Sequence, residues 1–208
     1  MLYYKDLYWY YQGTLDKKTC NKIIKLGEKQ KIIQGRIQSF PESEFKQLTK
    51  KQKEVLVKKR DSYVSFIQDD WLFNLMEPYI RTANNFAKWN FDIDYIENMQ
   101  FTKYGKKQHY DWHCDSGGEE ETADPRSHGK IRKLSIVVSL SDPKNYEGGD
   151  FEFQYRGTDD PNVITDVPVL KTQGTIIVFP SYIWHRVKPI TKGTRYSLVG
   201  WVRGWPYR

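Results

Sequence analysis

The sequence predicts an α+β protein in which N-terminal helices pack on one sheet of a double-layered β barrel or jelly roll. Two observations predict this class. Helical periodicity is confined to the first 92 residues, and short strands separated by Gly-Gly, Asp-Pro and Lys-Gly turns follow from residue 93 onward. Aromatic residues make up 15% of the chain, as is typical of strand-rich folds. We therefore expect one integrated domain with a helical support region, 1–92, and a β core, 93–208.

The composition limits the partners and the compartment. The net charge is +7, and much of the excess lies in the basic segment 46–60, which Glu54 interrupts and which has no aromatic stacking pattern. That pattern favours a solvated helix over a nucleic-acid surface. Cys20 and Cys114 lie far apart, no secretory leader precedes them, and no window has the roughly 18 apolar residues of a membrane span. We expect a cytoplasmic protein without a membrane contact.

The support region begins with a strand in residues 3–13, followed by a helix capped by Asp16 that runs to about Leu26. Gly27 is the expected C-terminal stop, and Cys20 lies on the apolar face with Ile23 and Ile24. Cys20 is therefore expected to be a core residue.

A short strand is expected at 32–37, and the polar stretch 39–60 carries no pattern that indicates chemistry. A second helix, capped by Asp69 or Asp70, should reach about Trp89, with a kink or a restart at Pro78.

The β core is predicted to contain seven strands separated by turns and two irregular stretches. The irregular stretches are 116–129, a candidate lid because it directly follows the candidate site, and 157–168. The strands are expected at 93–104, 110–115, 131–140, 149–155, 174–179, 182–188 and 194–203.

The candidate site begins with His113 and Asp115, which point to the same side of an extended segment. A second histidine would complete the two-histidine, one-carboxylate face of a non-haem Fe(II) site. His185 lies on another predicted strand. Ten residues later Arg195 shares a strand face with Ser197, Val199 and Trp201. If that face is buried, the guanidinium requires an anion, and a bound carboxylate would serve.

These features resemble the sequence motifs of the 2-oxoglutarate and Fe(II)-dependent oxygenases, whose fold is the double-stranded β-helix, or jelly roll. The chain looks most like the prolyl 4-hydroxylase branch, including the PKHD-type hydroxylases, over about residues 93–203. The motifs that carry the resemblance are Tyr104-Gly105, Tyr110-x-x-His113-x-Asp115, Arg132-Lys-Leu-Ser, Leu140-Ser141, Gly148-Gly149-Asp150-Phe151, Phe179-Pro180 and His185-x-Val187-x-Pro189-Ile190.

The resemblance implies two cofactors, Fe(II) and 2-oxoglutarate, with O2 as co-substrate and ascorbate as a candidate reductant. It implies that His113, Asp115 and His185 are the catalytic metal ligands. It also implies that Arg195 binds the distal carboxylate of 2-oxoglutarate, that Ser197 adds a hydroxyl and that Tyr104 lines the cosubstrate pocket. Ser139, which strand alternation turns to the cavity, occupies the position of a tyrosine in oxygen-sensing relatives.

Two further residues match positions that flank the substrate in prolyl hydroxylases, Arg132 and Trp201. An ordinary surface arginine and an ordinary core tryptophan stay open as alternatives. Simple alternation groups Arg132 with Leu134 and turns it away from the cavity unless the strand begins later.

The leading hypothesis is a dioxygenase that hydroxylates an unactivated C–H bond, most favourably in a prolyl residue of a peptide or protein. Two enzyme alternatives are a hydroxylase of a free amino acid or small molecule and an oxidative nucleic-acid demethylase. The demethylase ranks lower because Trp201 stands where that group typically carries a second arginine. The non-enzyme alternative is a jelly-roll binding module, which would not require the four residues together.

Overall fold

The computed structural model describes residues 7–35, 47–116, 124–154 and 163–207 of the 208-residue chain. The residues 117–123 of the candidate lid and 157–162 of the second irregular stretch lie outside this part. The helices are α1 (Lys17–Lys29), α2 (Lys50–Lys59) and α3 (Asp70–Phe86). No helix in the described ranges has the length and apolar character needed to cross a bilayer.

The described strands form an eight-stranded sheet, a five-stranded sheet and a two-stranded ribbon, with antiparallel pairing throughout. The strands of the large sheet are β1 (Trp9–Tyr11), β2 (Ile33–Gln34), β4 (Tyr63–Ile67), β5 (Tyr95–Ile96), β6 (Met99–Tyr104), β8 (Ile131–Ser139), β12 (Ile176–Pro180) and β15 (Arg195–Gly204). The small sheet has the order β11 (Ile164–Asp166), β10 (Phe151–Gln154), β13 (Trp184–Val187), β7 (His109–His113) and β3 (Arg60–Asp61). The ribbon pairs β9 (Tyr146–Gly148) with β14 (Ile190–Gly193).

Two apolar clusters lie on opposite faces of the large sheet. The first cluster joins α1 and α3 to the outward face, where β8 contributes alternate residues from Leu134 to Val138. The second cluster lies between the two sheets and includes Val137 and Ile177. The alternation that the sequence predicts for β8 is therefore confirmed, and the helices cover one sheet as expected.

The support region and the β core share the large sheet. Strand β1 pairs with β12, and β4 pairs with β6. The division at residue 92 stays a prediction, because both sides contribute strands to one sheet.

Helix α1 corrects one sequence-based expectation. Asp16 caps it as predicted by accepting a hydrogen bond of 2.7 Å from the Thr19 amide, and Cys20 is fully buried. Gly27, however, lies inside the helix, which continues to Lys29. A Cβ at Gly27 would lie 2.2 Å from Cγ of Phe101, so the glycine is required for close packing on β6 and does not end the helix.

Helix α3 starts after Asp69 as expected and does not restart at Pro78. It ends at Phe86, three residues before the predicted Trp89, where Lys88 and Asn90 take left-handed φ angles of 59° and 49°. Strand β4 was not predicted because its burial does not alternate, since Val64 and Ser65 are both buried.

The basic segment ends at the small sheet. Helix α2 starts with a capping box between Thr49 and Gln52, and none of its residues is buried. The chain then enters β3, which pairs with β7, so that Arg60 lies opposite Tyr110. This pairing places Arg60 beside the strand that carries His113, although the sequence of the segment indicates no chemistry.

Candidate active site

Strands β7 and β13 are neighbours in the small sheet, and their pairing places His185 directly opposite His113. Asp115 lies just beyond the end of β7, where its backbone amide donates to the carbonyl of Ser181 at 2.9 Å. One ligand atom from each of His113, Asp115 and His185 lies within 4.8 Å of the others. The structure therefore brings the three predicted metal ligands together.

Both histidines are oriented by hydrogen bonds to backbone carbonyls. Nδ1 of His113 lies 2.8 Å from the carbonyl of Asp111, and Nδ1 of His185 lies 2.9 Å from that of Ile183. With the proton on Nδ1, Nε2 of each ring keeps its lone pair. These Nε2 atoms face Asp115, at 3.8 Å from Oδ1 and 3.6 Å from Oδ2 respectively. The Ser135 hydroxyl donates to Oδ2 at 2.7 Å and fixes the carboxylate.

The protonation states suit a metal site. Burial, and then the neighbouring His185, lower the pKa of His113 well below its ordinary value, so its imidazole is neutral. Burial by itself would raise the pKa of Asp115. The hydrogen bond from Ser135 and the charge of Arg132 act against burial, and the pKa of Asp115 stays below its ordinary value. A carboxylate and two imidazoles are the donor set of non-haem Fe(II), so these residues fit the metal.

Aromatic rings surround the two histidines. Phe151 stacks on His185 with ring centroids 5.4 Å apart, and Tyr110 stacks on His113 at 3.4 Å. The guanidinium of Arg60 lies 4.4 Å from the centroid of the Tyr110 ring. Burial raises the pKa of Tyr110 to about 12, so its phenol stays neutral. These rings cover one side of the cluster that His113, Asp115 and His185 form.

Sequence reasoning missed Arg60 because its position depends on the pairing of β3 with β7, and no local pattern reports this contact. The guanidinium is buried, and its Nε lies 3.1 Å from the hydroxyl of Ser62. The signal that could have found it is the arginine that ends the basic segment immediately before Asp61.

Arg195 is almost fully buried, at 1% exposure, on the face of β15 that looks toward the small sheet. Its Nη1 donates to the hydroxyl of Ser197 at 3.3 Å, and its guanidinium lies 5.7 Å from the Tyr104 ring. Within the described part of the chain, no carboxylate pairs with this guanidinium. A buried cation of this kind is costly unless an anion meets it, so the site fits a carboxylate ligand.

The remaining predicted cosubstrate residue lies close to this arginine. Ser139 on β8 is the direct strand partner of Ser197. Its hydroxyl is buried and has no hydrogen-bond partner among the described residues. A cavity of about 300 Å³ also borders Arg195, with Lys171 and Lys188 in its lining. Unpartnered buried hydroxyls are rare in native structures, which makes Ser139 a candidate ligand contact.

Arg132 and Trp201 contact each other. The guanidinium of Arg132 lies 4.1 Å from the Trp201 ring centroid, and its Nε and Nη2 bind the Glu97 carboxylate at 2.8 and 2.7 Å. Simple alternation would turn Arg132 to the outer face, but the pairing of β8 with β15 shifts register and skips Lys133. This β-bulge returns Arg132 to the face of Trp201.

The fold and this constellation agree with the comparison to known families. Residues 99–203, half of the chain, match the family model of the 2OG-Fe(II) oxygenase superfamily. The chain therefore belongs to that superfamily.

Among curated relatives, the chain is similar to PKHD-type hydroxylases. It is 31% identical over 110 residues to one from Picosynechococcus sp., a match that covers 53% of this chain and 43% of the relative. It is 33% identical over 110 residues to another from Synechococcus sp. strain CC9311, with the same two coverages. The match thus spans less than half the length of these relatives.

Solved structures support the jelly-roll fold. A Pseudomonas putida prolyl-4-hydroxylase superposes with a TM-score of 0.62 at 19% identity, and covers 96% of this chain and 94% of its own. A viral collagen prolyl hydroxylase from Paramecium Bursaria Chlorella virus-1, in complex with 2OG, gives 0.59 at 18% identity, with coverages of 96% and 97%. A Trichoplax adhaerens prolyl hydroxylase, in complex with a peptide of hypoxia inducible factor, gives 0.60 at 12% identity, with coverages of 94% and 83%.

Proposed function

We propose that this protein is an Fe(II)- and 2-oxoglutarate-dependent dioxygenase that hydroxylates an unactivated C–H bond. The substrate that the observations favour is a prolyl residue of a peptide or protein. The observation that carries the proposal is the convergence of His113, Asp115 and His185 within 4.8 Å. The buried Arg195, which has no carboxylate partner in the described chain, supports an anionic cosubstrate.

In this proposal, Nε2 of His113, Nε2 of His185 and the Asp115 carboxylate hold Fe(II). When bound, Fe(II) and 2-oxoglutarate supply the oxidising chemistry: decarboxylation of the oxo acid to succinate and CO2 activates O2, and one oxygen atom enters a C–H bond. The chain itself positions the metal ligands and keeps water away from them. The Nδ1 contacts to the carbonyls of Asp111 and Ile183 hold the rings, and the rings of Phe151 and Tyr110 exclude water.

The cosubstrate residues of the proposal are Arg195, Ser197, Ser139 and Tyr104. Arg195 provides the charge for the distal carboxylate, and Ser197 orients its guanidinium through the 3.3 Å hydrogen bond. Tyr104 is the direct strand partner of Arg195, and burial raises the pKa of its phenol. Tyr104 is therefore an uncharged side chain that lines the pocket beside the Arg195 guanidinium. Ser139 offers a buried hydroxyl that has no partner among the described residues.

Trp201 and Arg132 are the substrate residues of the proposal. The Nε1 donor of Trp201 is buried and has no acceptor among the described residues, so a substrate carbonyl could accept from it. Glu97 and Arg132 support the tryptophan from one face. A peptide is favoured over a free amino acid because several similar structures are prolyl hydroxylases, one of them in complex with a peptide.

A substrate panel tests this proposal. Proline-containing peptides, free amino acids and methylated oligonucleotides are incubated with the protein, Fe(II), 2-oxoglutarate and O2, with and without ascorbate. Mass spectrometry then scores the gain of one oxygen atom, and the Asp115→Ala variant is the control. We expect the gain on a prolyl residue of a peptide and none with the variant. Oxygen gain on free amino acids alone, or formaldehyde from the oligonucleotides, would overturn the peptide assignment.

Two parts of the proposal have their own readouts. If ascorbate is the reductant, the enzyme should complete more turnovers in its presence than in its absence before the activity decays. The cytoplasmic location expected from the two cysteines stays a prediction, which fractionation of cells with an antibody to this chain would check.

A further inference from the structure

The hydroxyl of Tyr146 is a buried polar group that is not part of the metal site or of the cosubstrate residues named above. Tyr146 starts strand β9 and is 6% exposed, and its Oη has no hydrogen-bond partner among the described residues. Leaving a buried hydroxyl unpaired costs about 1–3 kcal/mol, and most native hydroxyls of this kind therefore have a partner.

Tyr146 lies beside the side chain of Arg195. Both pack on Gly149, where a Cβ would lie 3.7 Å from Cε2 of Tyr146 and 3.0 Å from Cδ of Arg195. The same Cβ would lie 2.4 Å from Cδ1 of Ile190. The backbone of Gly149 has a φ of +65°, which favours glycine in any case. The glycine therefore leaves room for the Tyr146 ring and the aliphatic part of the Arg195 side chain to pack over the same backbone position.

The strand pairing fixes this arrangement. Tyr146 lies opposite Gly193 in the β9–β14 ribbon, and the chain leaves β14 only two residues before Arg195. The tyrosine and the arginine thus belong to strands that are neighbours in space and in the chain. Tyr146 also shares the apolar cluster between the sheets with Tyr104, the strand partner of Arg195. The phenol is anchored on the same side of the large sheet as the cosubstrate residues.

The charges around Tyr146 favour an anion. The ammonium of Lys171 lies 5.1 Å from the Tyr146 ring centroid and 2.8 Å from a carboxylate oxygen of Asp150. Lys171, Lys188 and Arg195 border one cavity of about 300 Å³, with Asp150 and Asp166 as its carboxylates. Asp150 forms its ion pair with Lys171, and no ion pair joins it to Arg195 in the described part of the chain.

We propose that Tyr146 donates its phenolic hydrogen to the distal carboxylate of 2-oxoglutarate, beside Arg195. This inference rests on the proposed function, and it names a specificity residue that the sequence motifs do not include. A phenolic hydroxyl near a guanidinium adds a directional hydrogen-bond donor to the positive charge, and so favours a dicarboxylic oxo acid over a monocarboxylic one. A hydrogen bond to a charged group makes a contribution that corresponds to about tenfold or more in affinity.

Calorimetric titration of the Mn(II)-loaded full chain tests this role without turnover. The probes are 2-oxoglutarate and 2-oxopentanoate, which carries a methyl group in place of the distal carboxylate. Tyr146→Phe removes only the hydroxyl, and we expect it to raise the dissociation constant of 2-oxoglutarate about tenfold and to leave that of 2-oxopentanoate unchanged. The matched control is Tyr11→Phe, which removes a phenol that donates to the carbonyl of Tyr79 on helix α3. It should bind both acids as the wild type does.

Thermal unfolding gives a second readout. Because the Tyr146 hydroxyl has no partner in the described chain, the ligand-free Tyr146→Phe protein should unfold at the same temperature as the wild type or above it. Saturating 2-oxoglutarate should then raise its unfolding temperature less than that of the wild type.

Several results would overturn the inference. One is equal affinity of wild type and Tyr146→Phe for 2-oxoglutarate, and another is an equal loss of affinity for both acids. A third is a loss specific to 2-oxoglutarate in Ser139→Ala and absent in Tyr146→Phe, which would make the serine the donor. If the wild type binds neither Mn(II) nor 2-oxoglutarate, the proposed function itself fails, so the two failures are distinguishable.

Discussion

Ser135 donates a hydrogen bond of 2.7 Å to Oδ2 of Asp115 and lies 2.9 Å from the hydroxyl of Ser181. Because the Ser135 hydroxyl has one proton and gives it to the carboxylate, Ser181 is the donor to Ser135. The chain of two hydroxyls ties the carboxylate to strand β8 of the opposite sheet. It fixes the orientation of Asp115 toward His113 and His185.

Ser135→Ala should weaken metal binding. Outer-shell partners of metal ligands typically contribute 10–100-fold in affinity, and we expect a loss of about tenfold for Mn(II). Titration of Mn(II) followed by electron paramagnetic resonance measures it. The matched control is Ser65→Ala, which removes a buried hydroxyl that donates to the carbonyl of Gly27, on the helix side of the sheet. Equal Mn(II) affinity of Ser135→Ala and wild type would show that the hydroxyl does not orient the carboxylate.

Glu97→Gln should destabilise the fold. Glu97 accepts from Arg132 and, at 2.5 Å, from Nε of Arg203, which is 2% exposed. Removing the carboxylate charge leaves two guanidinium groups beside each other in a partly buried site. The expected loss in the free energy of unfolding is about 3 kcal/mol, measured by urea denaturation.

The control for that loss is Glu77→Gln, which breaks the exposed pair between Glu77 and Arg81 on helix α3. An exposed pair four residues apart contributes at most about 0.5 kcal/mol. Similar losses in the two variants would mean that the partly buried network of Glu97, Arg132 and Arg203 contributes no more than an exposed ion pair.

Gly27→Ala should destabilise the protein even though alanine is the better helix former. The added Cβ would lie 2.2 Å from Cγ of Phe101, and the ring is fully buried against helix α1. We expect a loss of about 1–3 kcal/mol in the free energy of unfolding, because a well-packed core cannot accommodate the methyl group without displacement. Lys25→Ala, on the exposed face of the same helix, should change that energy by less than about 0.5 kcal/mol. A Gly27→Ala protein as stable as wild type would contradict the close approach.

Cys20 should resist alkylation in the folded protein. Its side chain is fully buried, and burial raises the pKa of the thiol to about 11. At pH 8 the reactive thiolate is therefore scarce, and the reagent has no access. Iodoacetamide followed by peptide mass spectrometry should find Cys20 unmodified in the native protein and modified after unfolding in urea. Rapid labelling of Cys20 in the native state would show that α1 is not docked as described.

The features that the sequence predicts are the ones that local periodicity determines. His113 and Asp115 lie two residues apart on an extended segment, so one face of one strand already places both. Asp16 needs only its own first helical turn to act as a cap. The faces of β8 follow from the period of two.

The features that the sequence does not predict depend on which strands meet. The bulge at Lys133, which turns Arg132 toward Trp201, exists only in the register of β8 against β15. The approach of Arg60 to Tyr110 requires the pairing of β3 with β7. The Tyr146 hydroxyl, which has no partner among the described residues, is visible only when the ribbon, Gly149 and Arg195 are packed together.

The most direct test of the central claim is the conversion of 2-oxoglutarate to succinate, followed by NMR with Fe(II) added or withheld. Wild type should form succinate only with Fe(II) and O2. Asp115→Ala, with folding verified by circular dichroism, should form none because the carboxylate that completes the metal site with His113 and His185 is gone. Undiminished succinate formation by Asp115→Ala, or by wild type without Fe(II), would contradict the assignment of this site.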